Sequence, residues 1–171
     1  VDEVVAQGIP YFSSAGNDGE NSYEAPFRGV PGRSGIIDDT YVPHDFNSSG
    51  ATDTRQEITI RPEGTFRIFS FQWTDPSALV QGSAGPDTDI DIALVDGSDN
   101  VIAESRGSNG VVPVESLEYT NDQSTAVTLD LVVEKASGPA PDEIKYVYSG
   151  SGFSIEEYDT GGATIYGHQM A

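Results

Sequence analysis

QEITIRPEGTFRIFSFQWT, residues 56–74, changes the texture of the chain. Ile58 and Ile60 share one side of an alternating run. After Pro62-Glu63-Gly64, the residues Phe66, Ile68, Ser70 and Gln72 oppose Arg67, Phe69, Phe71 and Trp73. A period of two is that of β-strands, whose successive side chains point to opposite faces. The stretch therefore predicts two strands around a Pro-Glu-Gly turn. Downstream, TDIDIALVD sets Ile90, Ile92 and Leu94 against Asp89, Asp91, Ala93 and Val95, and DGSDN leads into VIAES, which reads as a hairpin. VESLEYT, TAVTLDLVVEKA, IKYVYSG and GFSIEEYD supply further strands between Asn/Asp, Pro-Ala-Pro and Gly-Ser turns. Seven or eight short strands without a helical period among them predict a mainly β fold, an antiparallel β-sandwich or jelly roll over residues 55–158.

Upstream the pattern differs. VDEVVAQG places Val1, Val4 and Val5 on one face of a helical turn that Gly8 stops. Ile9 to Ala15 is a short apolar β-prone run ending at Gly16-Asn17-Asp18-Gly19. Helix, buried strand and polar loop make half of a parallel α/β unit, so residues 1–20 are expected to be an α/β fragment. Residues 21–54, rich in Gly, Pro, Ser and Asp, read as a connector. GGATIYGHQMA returns to an apolar run, and 159–171 are assigned to the same fragment as 1–20. A start inside a helix without an initiator Met suggests a piece of a larger protein.

The charge excludes several functions. Twenty-eight acidic residues against 8 basic ones give −20 over 171 residues, which disfavours nucleic acid and anionic lipid as partners. No run approaches a membrane span. With no cysteine there is no disulfide framework, and the length suffices for a real core.

VVAQGIPYFSSAGNDG resembles the oxyanion-loop segment of subtilisin-like serine peptidases, in which a helix and a buried strand lead to Ser-Ala-Gly-Asn, here Ser14-Ala15-Gly16-Asn17. The likeness covers about residues 1–20. TDIDIALVDGSDNVIAES with ESLEYT resembles the β-sandwich modules beside secreted bacterial peptidases, of the pre-peptidase C-terminal kind. Together the two imply a secreted or cell-envelope subtilase whose catalytic domain is interrupted after the oxyanion loop by an inserted sandwich. Asn17 would then be the catalytic oxyanion-hole donor for a polypeptide substrate. GHQMA shares the frame of the family's Gly-Thr-Ser-Met-Ala nucleophile motif, with His168 and Gln169 where Thr and Ser would stand. That alignment would make the parent a dead enzyme, whereas TIYGH also suits a return into the next strand of the catalytic domain.

Each residue also has a plainer role open to it. Asn17 could cap a Gly-Asn-Asp-Gly turn. The histidines, His44 and His168, sit in no triad motif, so the chain alone is expected to be inactive. Asp87, Asp89, Asp91, Asp96 and Asp99 are hard oxygen donors that could hold calcium, or line a solvated strand face. No other cofactor is implied. Trp73, Phe66, Phe69, Phe71, Tyr119, Tyr146 and Tyr148 could form a sugar platform or, more simply, a core. The strand at residues 9–14, with edges unpaired outside its host sheet, could mediate self-association. A non-catalytic binding or adhesion module, calcium-dependent or not, is the alternative to the enzyme fragment.

Overall fold

The computed structural model describes residues 6–8, 20–107 and 110–161. The α/β fragment at residues 1–20 and the return at 162–171 lie outside them, apart from residues 6–8 and 20. Every named element of the described residues is a β-strand: β1 (Ser22–Ala25), β2 (Val42–Pro43), β3 (Gln56–Trp73), β4 (Asp89–Val95), β5 (Val101–Ser105), β6 (Val114–Thr120), β7 (Val127–Ser137) and β8 (Ile144–Ile155). All pair antiparallel, in the order β1-β8-β3-β7-β4-β5, with β6 also on β3 and β2 also on β7. The fold is mainly β, consistent with a sandwich.

The expected hairpin at 56–74 is instead one strand. Both halves of β3 run alongside β8 in the same sense, from Ile58 opposite Ile155 to Trp73 opposite Ile144. At residues 61–64 the chain bulges rather than turns. Its first half pairs with β7 and its second with β6, so β3 changes partner at the bulge. IKYVYSG and GFSIEEYD, expected as separate strands, are likewise continuous in β8. Glycine makes the bend because backbone meets backbone there: a Cβ on Gly150, at φ 134°, would stand 1.9 Å from the Thr65 carbonyl oxygen. Glu63 takes a left-handed φ of 59° in the bulge. Buried Asn121 pins the bulge, its Nδ2 donating to the carbonyls of Ile60 (3.0 Å) and Thr125 (2.9 Å) while its main chain pairs with Glu63 and Gly64.

A second bulge, between Ile68 and Phe71, flips the phase of β3. Phe66 and Ile68 face the core, and so do Phe71 and Trp73, while Phe69 is exposed. Ile58, Ile60, Ile90, Ile92, Leu94, Leu131, Ile144 and Tyr146 fill the same core from β3, β4, β7 and β8. Burial of such side chains contributes about 1.5–3 kcal/mol each before the entropy of ordering them is counted. The expected connector is part of this body. β1 extends the sheet along β8, and Phe27 and Phe46 enter the core. Residues 36–41 cover the other face of β4 and β7, where Ile37 packs on Ala93, Val95 and Val132.

Candidate functional site

Asn17 and His168 lie outside the described residues. What the structure places are the described residues nearest to them in sequence, 20–24 and 160–161. The Ser22 carbonyl accepts from the Thr160 and Gly161 amides (3.0 and 3.2 Å), the Glu24 amide donates to Thr160 Oγ1 (2.9 Å), and the Tyr148 amide donates to the Asn21 carbonyl (3.0 Å). Residues 21–22 and 160–161 thus lie side by side. β1 is an edge strand, and the segment after β8 folds back onto it to satisfy its outward backbone groups.

Beside this junction sits His44, a loop residue by sequence and a fully buried one in fact. Its Nδ1 accepts from the Arg28 amide (3.1 Å), which leaves the hydrogen of the neutral ring on Nε2, directed at Tyr23 Oη (2.8 Å). Arg28 Nη2 donates to the same oxygen (3.2 Å) and to the Phe46 carbonyl (2.8 Å), while its Nε donates to the Asp45 carbonyl (3.0 Å). Burial, aided by the Arg28 charge, lowers the His44 pKa to about 3. A ring so enclosed and neutral is a structural pillar, not a general base. Alternation through Val42, His44 and Phe46 is the signal in the sequence that would have found it.

The five aspartates do not converge. Asp87 precedes β4; Asp89 and Asp91 share one face of it. Asp96 and Asp99 lie beyond its other end, roughly 20 Å away at about 3.3 Å per residue. Asp96 closes its own turn, accepting from the amides of Ser98 (2.8 Å) and Asn100 (3.0 Å) and from Asn100 Nδ2, which holds its carboxyl below the usual range. Asp99 pairs with Arg55, which also holds Asp130 at 2.7 Å. Among the described residues no three metal-ligating side chains gather. Asp91 is the unusual member. It is 2% exposed, opposes Glu134 across the β4–β7 ladder, and its Oδ1 is the buried side-chain atom without a hydrogen-bond partner among the described residues. Its Oδ2 lies 3.8 Å from Arg106 Nε. Desolvation, with the charges of Asp89 and Glu115, pushes its pKa up to about 6 against the pull of Tyr41 and Arg106. Glu134 is fully buried too, but accepts from the amides of Ile36 (2.6 Å) and Ile37 (3.0 Å).

The aromatic residues resolve into core and surface. Phe66, Phe71, Trp73, Tyr146 and Tyr148 are buried, and Tyr119 packs against them. Phe69 stands exposed with the Arg67 guanidinium 6.0 Å from its ring centre. No protein-family model matches the chain, and no curated protein matches it in sequence.

Proposed function

We propose that the chain is part of a secreted subtilisin-like serine endopeptidase, in which residues 1–20 supply the oxyanion-hole asparagine and the sandwich is set into the catalytic domain as an accessory module. The likeness of Ser14-Ala15-Gly16-Asn17 in its helix-strand context motivates the reading. The observation that carries it is the junction: a module inserted between two neighbouring strands of a host must begin and end at neighbouring points, and Ser22 hydrogen-bonds Thr160 and Gly161.

In this reading the Asn17 side-chain amide donates to the oxygen of the scissile carbonyl as the nucleophile attacks and that oxygen becomes negative. A donor fixed in advance at this position stabilises the transition state more than the substrate. Nucleophile, base and orienting acid come from the rest of the parent, since His44 is locked to Arg28 and Tyr23. The sandwich stands next to the active site and carries an acidic surface, which shapes access for substrates and disfavours polyanions.

Excision tests this. In the parent, residues 22–160 are replaced by two glycines joining Asn21 to Gly161. The catalytic domain is expected to fold and to hydrolyse a small chromogenic peptide, with changed activity toward folded protein substrates. A product that folds by circular dichroism but lacks all peptidase activity would contradict the reading.

A further inference from the structure

A cavity of about 380 Å³ lies between β1, residues 46–49 and residues 158–160, and the peptidase reading makes no use of it. Its polar lining includes a cation, Arg28. In a chain of net charge −20, Arg55, Arg67, Arg106 and Lys145 each contact a carboxylate, whereas half-buried Arg28, like Lys135, has only neutral acceptors among the described residues: the carbonyls of Asp45 and Phe46 and the hydroxyl of Tyr23. Those three bonds employ Nε and Nη2 and fix the guanidinium plane. The Nη1 hydrogens meet no acceptor among the described residues. Tyr23, 1% exposed, holds that frame from within. With His44 Nε2 and Arg28 Nη2 both donating to its oxygen, the hydroxyl hydrogen has no acceptor there either.

Arg28 and Tyr23 both line the cavity; Tyr23 is 1% exposed and belongs to the frame, so what that frame presents to the space is one unspent, charged donor, the half-buried Arg28. Charge-assisted bonds of this kind suit a carboxylate. Phe46 and Tyr158, stacked with centres 5.9 Å apart, give an apolar wall. Asp159, whose Oδ1 accepts from the Gly161 amide (3.1 Å), also lines the space; it opposes a dianion and accommodates an amine. The other acid present, Glu24, is held by Lys145 at 3.1 Å. The volume is at the small end of ligand pockets. We propose that this cavity binds a small zwitterion of the size of an amino acid or dipeptide, its carboxylate on Arg28 and its ammonium toward Asp159. Among the described residues the site is lined by the sandwich alone, and the proposal does not rest on Asn17.

The test is a nuclear magnetic resonance titration of the whole chain with glycyl-phenylalanine, its C-terminal amide and its N-acetyl derivative. The free dipeptide is expected to give saturable shifts at residues 23–28, 46–49 and 158–160. Amidation should weaken binding by about tenfold or more, acetylation should weaken it less, and inorganic phosphate at equal concentration should not compete. Arg28→Lys should weaken binding as amidation does. Because Arg28 also clamps two carbonyls, Ser49→Trp provides a variant that fills the cavity and leaves the clamp intact, and it too should abolish binding while the spectrum remains folded. No saturable shift, equal binding of the amide, or undiminished binding by folded Ser49→Trp would overturn the proposal.

Discussion

Replacing Asp91 by asparagine is expected to stabilise the protein at neutral pH and to do little in acid. The side chain is 2% exposed, one oxygen lacks a partner among the described residues, Asp89 and Glu115 add negative charge, and Glu134 lies directly across the ladder. Its folded pKa of about 6 exceeds the unfolded value of about 3.9. Between those values the native state binds more protons than the unfolded state, so this group's contribution to stability falls as pH rises through the window. Above pH 6 its full penalty stands. About two pKa units at 1.36 kcal/mol each amount to roughly 3 kcal/mol at pH 7.5 and under about 1 kcal/mol at pH 4. Asparagine has the same shape and no charge, and its amide can donate to the neighbouring carboxylates. The lost attraction to Arg106, 3.8 Å away and 37% exposed, is worth under about 1 kcal/mol. Urea unfolding of wild type and D91N at the two pH values measures the difference, which corresponds to a melting shift of about 5–10 °C at pH 7.5. A D91N protein no more stable than wild type at pH 7.5, or equally stabilised at both pH values, would show that the buried Asp91 charge carries no such penalty.

His44 acts in the opposite direction. With a folded pKa of about 3 against an unfolded value near 6.5, it binds fewer protons when folded, so its stabilising effect is complete above pH 6.5 and is lost as pH falls. The D91N background should expose this as a loss of about 3 kcal/mol between pH 6.5 and 4, read by denaturant melts. Gly150→Ala, whose Cβ would stand 1.9 Å from the Thr65 oxygen, should cost about 3 kcal/mol or more and disrupt the β3–β8 bend, seen as a fall in melting temperature. Since Asp96 and Asp99 stand at the far end of β4 from Asp89 and Asp91, millimolar calcium should move the melting temperature by less than about 1 °C. A rise of several degrees that D91N abolishes would restore a calcium site there.

The β4–β5 hairpin was legible in the sequence because its turn is local: Asp96 accepts from Ser98 and Asn100 within the loop itself. The alternation that marked the core residues Ile90, Ile92 and Leu94 of β4 was legible for the same reason. Pro62-Glu63-Gly64 and Gly150-Ser151-Gly152 were misleading, because the glycines that permit a hairpin turn also permit a bulge where two long strands cross, and only the partner strands decide between them. Asp91 fell on the polar side of a sound alternation. What buries it is the 36–41 segment laid over that face from fifty residues upstream, together with Glu134, and no local pattern reports such a cover. For His44 the short alternation Val42-His44-Phe46 marks the inward side, but its hydrogen-bond partners Tyr23 and Arg28 are remote in sequence and no local pattern reports them.

The claim that residues 1–20 belong to a peptidase active site is tested most directly by steady-state kinetics of Asn17→Ala in the full-length parent. Removing an oxyanion donor lowers kcat by about 10²–10³, a magnitude measured in subtilisin itself. Because the bond forms mainly in the transition state, KM should change little and the fold should be unaffected. A folded Asn17→Ala parent with wild-type kcat/KM would show that this asparagine only shapes a turn, and would contradict the account.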